Sequence, residues 1–206
     1  MRRVRSRTID VNARRRQRGV VLLEAAACVQ VLAILAFGIV DVGFAYRDKL
    51  TVNSAVRGTA RVVANAGPVM DADYQGIITL RGALGTIPQA QVDRVVVYKA
   101  DVNGNPTNPN CLLPAAEALH GYVNDCNVYS ATEIFTATAS NFADCSTGLQ
   151  SKFCPTTRVR PMSGVLAPTD VGVWLSIRYT SRTKLFPFAQ LTITDQAVMR
   201  LEPEVV

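Results

Sequence analysis

The sequence has little of what polar catalysis needs. It carries one histidine, His120, in 206 residues. A Ser-His-Asp or Cys-His site would have to be built on that residue. No nucleophile stands beside it in Glu117-Ala118-Leu119-His120-Gly121, so it reads as a solvated or capping histidine near the end of a short helix. None of the five cysteines forms a C-x-x-C pair, and none stands at ligand spacing from His120, which argues against zinc. No glycine-rich phosphate loop occurs. Asp101, Asn103 and Asn105 begin like a calcium loop. The sixth position is Pro106 and the twelfth is Leu112, so a turn is the reading. The expectation is a protein that is not an enzyme and holds no cofactor or metal.

Basic residues are also scarce where a nucleic-acid partner would need them. Eight of the 22 basic residues (Arg2, Arg3, Arg5, Arg7, Arg14, Arg15, Arg16 and Arg18) lie in the first 18 positions, against one acid, Asp10. The remainder holds 14 basic and 15 acidic residues. The net charge of +6 is therefore a property of the leader, and the body offers no row of cations for phosphates. Nucleic acid is excluded as a partner on that distribution.

What is present is one long apolar run. Residues 20–40 read VVLLEAAACVQVLAILAFGIV, with Glu24 the only charge and Gln30 the only amide. At about 1.5 Å per residue the run spans roughly 30 Å, the hydrocarbon thickness of a bilayer. Arginines crowd its N-terminal flank, while only Arg47 and Lys49 follow closely. The positive-inside rule places the N-terminus in the cytoplasm and the chain beyond about residue 45 outside. A carboxylate one turn into the run is costly in lipid. Glu24 either reaches back to the headgroups or awaits a positive partner on a neighbour. Three rival readings exist for this end. Gly43-Phe44-Ala45 could be a signal-peptidase site before Tyr46, Cys28 a lipidation site, and Arg14-Arg15 a twin-arginine signal. The length of the run and its continuation past Cys28 favour a retained anchor.

Residues 16–26 (RQRGVVLLEAA) resemble the processing site of type IV prepilins. More narrowly they resemble the TadE-like proteins of the tight-adherence (Tad/Flp) pilus system. Residues 37–46 (FGIVDVGFAY), 53–61 (NSAVRGTAR) and 197–203 (AVMRLEP) are similar to further stretches of that family. The likeness covers residues 14–66 and about 190–203. The family has an aromatic after its glutamate, where this chain has Ala25. The resemblance implies a minor pilin or pseudopilin acting in assembly, initiation or adhesion. It implies cleavage after Gly19 by a prepilin peptidase, Val20 as the new N-terminus, and Glu24 as the fifth mature residue. It also implies the membrane, other pilin or pseudopilin subunits and the pilus assembly platform as partners. The site would be the inner membrane, with a place in the filament left open. The alternatives are a single-pass membrane protein outside any filament, with an extracytoplasmic binding domain, and a secreted binding protein released after Ala45.

Beyond the anchor, Tyr46, Leu50, Val56, Ala60 and Val63 fall on one helical face, with Asp48, Lys49, Arg57 and Arg61 elsewhere. Ala66-Gly67-Pro68 ends the helix. Residues 71–86 read as a short helix capped by Asp71 but weakened by Gly76, Gly82 and Gly85. Residues 92–100, 171–181 and 189–201 read as strands, the last with Leu191, Ile193 and Val198 inward. The expected fold is α+β: a basic leader (1–19), a transmembrane helix (20–44), its extension (45–67), and an outer domain (68–206) with a small antiparallel sheet and a loop-rich insert (103–170). Cys111, Cys126, Cys145 and Cys154 all fall in that insert, on the side expected to be oxidising. Two disulfides follow. Three pairings are open, with nested Cys111–Cys154 and Cys126–Cys145 as the working choice. Cys28, within the apolar run, reads as inert packing.

Overall fold

A computed structural model describes residues 11–113, 124–160, 168–183 and 190–201, with side chains from Val21 onward. His120 lies outside the described residues. Helix α1 runs unbroken from Val11 to Ala66. No proline interrupts it, and its first half is rich in leucine and alanine, both strong helix formers. It ends at Gly67, whose φ of 64° takes the left-handed position that closes a helix, with its N–H donating to Val63 O. The Arg160 guanidinium donates to Ala66 O at 3.2 Å and so binds the negative end of the helix dipole.

Helix α2 (Ala72–Ala83) returns against α1. Its glycines cost helix propensity, and Gly76 shows what offsets the cost. A Cβ there would sit 2.5 Å from Val63 Cγ2, so glycine lets the two helices approach. Asp71 does not cap α2 through its side chain. That carboxylate accepts from Gln75 Nε2 instead, at 3.0 Å.

Four strands form one antiparallel sheet in the order β2-β1-β3-β4: β1 (Val92–Ala100), β2 (Cys126–Ser130), β3 (Asp170–Thr180) and β4 (Gln190–Arg200). The fold is the expected α+β, with a strand, β2, that alternation along the insert does not reveal. A short helix, α3 (Ala131–Thr136), follows β2 directly through a capping box. Ser130 N–H donates to Glu133 Oε2, and Glu133 N–H donates back to Ser130 Oγ.

One face of the sheet carries Val95, Val97, Tyr129, Val171, Val173, Leu175, Ile177, Tyr179 and Ile193, all buried with α1 and α2. The helix meets them with Val52, Ala55, Val56, Ala60 and Val63. This face is rotated from the expected one. Tyr46 and Leu50 are exposed, and Asp48 is buried. On β4, Ile193 points to this core with Ala197 and Met199 beside it, while Val198 points to the opposite face.

That opposite face has a small core of its own, formed by Val96, Tyr98, Ala100, Cys111, Cys126 and Val128. The insert covers it. Arg94 spans the gap, donating to Leu112 O at 2.9 Å and lying over the Trp174 ring. Two disulfides brace the insert, Cys111–Cys126 and Cys145–Cys154. The pairing is sequential, not nested. Cys111 sits in the turn that covers the sheet, directly over the start of β2, while Cys145 and Cys154 close a separate local loop.

Candidate functional site

The anchor face of α1 is the first candidate site. Leu22, Leu23, Val29, Leu32, Leu35, Phe37 and Ile39 are all exposed. The span Val21–Ala66 is long and apolar enough to cross a membrane, and almost none of its most apolar window is buried in the protein. One N-terminal apolar helix of this kind fits a membrane anchor. Glu24 is exposed on this surface and has no ion-pair or hydrogen-bond partner among the described residues. Gly19 and Val20 lie within the helical stretch, five and four residues before it. Cys28 is a free, exposed cysteine on the same helix.

At the other end of the apolar run the helix is tied to the sheet through Asp41, which sequence reasoning passed over. Ser181 Oγ donates to its carboxylate at 2.6 Å, and Thr183 Oγ1 donates to the same oxygen. The backbone N–H groups of Arg182 and Thr183 donate to the other oxygen at 3.2 and 3.3 Å. Asp41 is thus a buried charge with four donors, which removes much of the cost of a carboxylate at the edge of an apolar run. Tyr179 donates its hydroxyl to Asp41 O at 3.1 Å. Burial, with the carboxylates of Asp41 and Asp48 adding to it, pushes the Tyr179 hydroxyl up, so it remains a donor. Arg182 lies over the Phe44 ring at 4.6 Å. Between this end of the sheet and the helix runs an apolar groove of about 610 Å³, lined by Ile34, Leu35, Gly38, Val42, Tyr179 and Leu191 among others.

A second buried polar cluster lies inside the outer domain. Asp73 and Arg158 form an ion pair at 2.7 Å with both side chains fully buried. Tyr129 and Asn127 donate to the other Asp73 oxygen at 2.8 and 2.7 Å. Asn127 also exchanges hydrogen bonds with Phe153 N and O, and Arg158 donates to Phe153 O. The cluster joins α2, β2 and the Cys145–Cys154 loop. The Asp73 carboxylate is met by three donors, while Arg158 Nε and Nη1 are buried without a hydrogen-bond partner among the described residues. Burial first, and then Asp73, drive the Tyr129 hydroxyl well above its ordinary range. No run or motif marks these residues in the sequence. Asp101 accepts from the N–H groups of Asn103 and Asn105, each at 2.8 Å, in the expected turn.

Residues 19–61 match a family model described as TadE-like protein. The matched segment opens at Gly19, contains Glu24 and Asp41, and ends within the part of α1 that packs on the sheet. The likeness is one of this segment of α1 and not of the whole chain. No curated protein and no solved structure matches the chain. The TadE-like family is associated with the tight-adherence pilus and is not known as enzymatic.

Proposed function

We propose that this TadE-like protein is a minor pilin or pseudopilin of a tight-adherence-type pilus, acting in its assembly, initiation or adhesion. A prepilin peptidase cuts between Gly19 and Val20. The basic leader faces the cytoplasm, the apolar half of α1 holds the chain in the inner membrane, and the disulfide-braced domain lies outside. Its partners are like helices of other subunits and the assembly platform. The observation that carries this reading is one lone carboxylate, Glu24, within the apolar and largely exposed stretch 21–40 of α1, inside the TadE-like match.

The mechanism is charge pairing in a medium where single charges are costly. Cleavage after Gly19 frees an amino group at Val20. In a bundle, the Val20 ammonium of one subunit neutralises Glu24 of the next when the two helices are offset axially by about 6 Å. Apolar packing alone tolerates many offsets, and the ion pair selects one. Retention of the anchor, as against release after Ala45, is supported by Asp41. Cutting there would remove the residue that accepts four hydrogen bonds from the end of the sheet.

The test replaces the gene with Glu24→Gln and Glu24→Ala variants and counts surface pili. Membrane insertion is checked in parallel by fractionation. The expected outcome is membrane-inserted protein with pili lost or sharply reduced. Normal piliation by both variants would overturn the register mechanism.

A further inference from the structure

We propose that the three residues following β3, Ser181, Arg182 and Thr183, form a second membrane contact. It would seat phospholipid against α1, with acyl chains in the apolar groove and anionic headgroups at Arg182. The inference rests on the reading of α1 as a membrane-spanning helix. Its starting point is depth. Val21 and Asp41 are twenty residues apart, so about 30 Å of helix separates them, the full thickness of the hydrocarbon core. If Val21 stands at the inner boundary, Asp41 stands at the outer one. Asp41 holds Ser181, Arg182 and Thr183 directly through its carboxylate. These three residues are therefore held at the depth of the headgroups.

The groove supports the same placement. Ile34 and Leu35 lie about 10 Å below Asp41 along the helix, so the groove crosses the hydrocarbon boundary. Its walls are apolar apart from Asp41 and Ser181, and it is continuous with the exposed apolar face of α1. Leu191, at the start of β4, is exposed beside it. Arg182 lies over the Phe44 ring at 4.6 Å, which sets a cation and an aromatic ring together at the depth of the headgroup phosphates. Charge and hydrophobicity together match an anionic bilayer interface better than they match water.

The experiment uses the full chain in vesicles of phosphatidylcholine and phosphatidylglycerol whose acyl chains are unbrominated, brominated near the headgroup to report on Leu191→Trp and Val102→Trp, or brominated near the chain end to report on Val31→Trp at the bilayer centre. Three variants each add one tryptophan: Leu191→Trp at the groove, Val31→Trp in the anchor, and Val102→Trp at the opposite end of the sheet. The native Trp174, on the face of the sheet away from α1, supplies the background to subtract. Quenching of Leu191→Trp by bromine, with none for Val102→Trp, is the expected result. If Leu191→Trp is as unquenched as Val102→Trp while Val31→Trp is quenched, the second contact is wrong and the anchor stands. Blue-shifted but unquenched emission from Leu191→Trp means that protein, from this chain or a second copy, fills the groove, and this also overturns the proposal. Loss of quenching at Val31→Trp as well would instead overturn the membrane-spanning reading.

Discussion

Replacing Arg158 with methionine tests whether the buried Asp73–Arg158 pair holds the insert to the rest of the outer domain. The substitution keeps volume and removes the charge. Asp73 then remains fully buried with its countercharge gone, a situation that costs about 3–5 kcal/mol when nothing compensates. Here Tyr129 and Asn127 still donate to it, so the lower end, about 3 kcal/mol, is expected. For a domain of this size that lowers the melting temperature by about 6–12 °C. The assay is thermal unfolding of the full chain in detergent micelles, followed by Trp174 fluorescence under conditions where the transition is reversible. The double variant Asp73→Asn/Arg158→Met should recover a large part of the loss, because no buried charge is then left alone. A shift under about 2 °C for Arg158→Met, or no recovery in the double variant, would refute the reasoning.

Gly172→Ala places a Cβ 2.1 Å from Tyr98 Cζ on the neighbouring strand; the ring is fully buried and its hydroxyl is held by Gly104 O, so overpacking should cost about 1–3 kcal/mol in chemical denaturation. Replacing Cys111 and Cys126 together with alanine opens a loop with a sequence separation of 15, worth about 3 kcal/mol, and should raise the accessibility of Trp174 to acrylamide by loosening the insert over its face. Asp144 is held well below the usual carboxylate range by the Thr147 N–H, the Ser146 and Thr147 hydroxyls and the Ser146 N–H. A lowered folded-state value means that the stabilisation is complete above the unfolded value near 4 and is lost as pH falls below it. Amide protection at Ser146, Thr147 and Gly148 should therefore be flat from about pH 7 to 5 and decline below about pH 4, whereas flat protection to pH 2 would contradict the assignment.

How far the sequence disclosed this structure depends on whether the relevant signal was local. The long apolar helix and its lone Glu24 follow from one uninterrupted run, because a 21-residue apolar stretch without proline has a single simple local signature. Strands β1 and β3 are legible for the same reason, through valine enrichment and strict alternation. Strand β2 is five residues long and buried on both faces, so Cys126-Asn127-Val128-Tyr129-Ser130 shows no alternation. The capping box Ser130-Ala131-Thr132-Glu133 was the available signal for α3, and through it for the end of β2. The buried face of α1 differs from the one its sequence implies because the registry of the helix on the sheet is set by long-range packing. Asp48 is buried and Tyr46 exposed, against what their polarity alone implies. Asp41 and Arg158 could not be found from spacing. Their partners lie 140 and 85 residues away, at Ser181 and Asp73. The disulfide pairing was open for a similar reason, since four cysteines in one insert admit three arrangements and only the placement of β2 decides.

The central claim is that α1 is a processed pilin-like anchor, retained in the membrane and free to pair its new amino group with Glu24 of a neighbour. Mapping the N-terminal residue of the mature protein from the producing cell's membranes tests this most directly. Val20 is the expected residue. An intact Met1 would contradict processing and leave Glu24 without its partner, and Tyr46 would contradict the anchor itself.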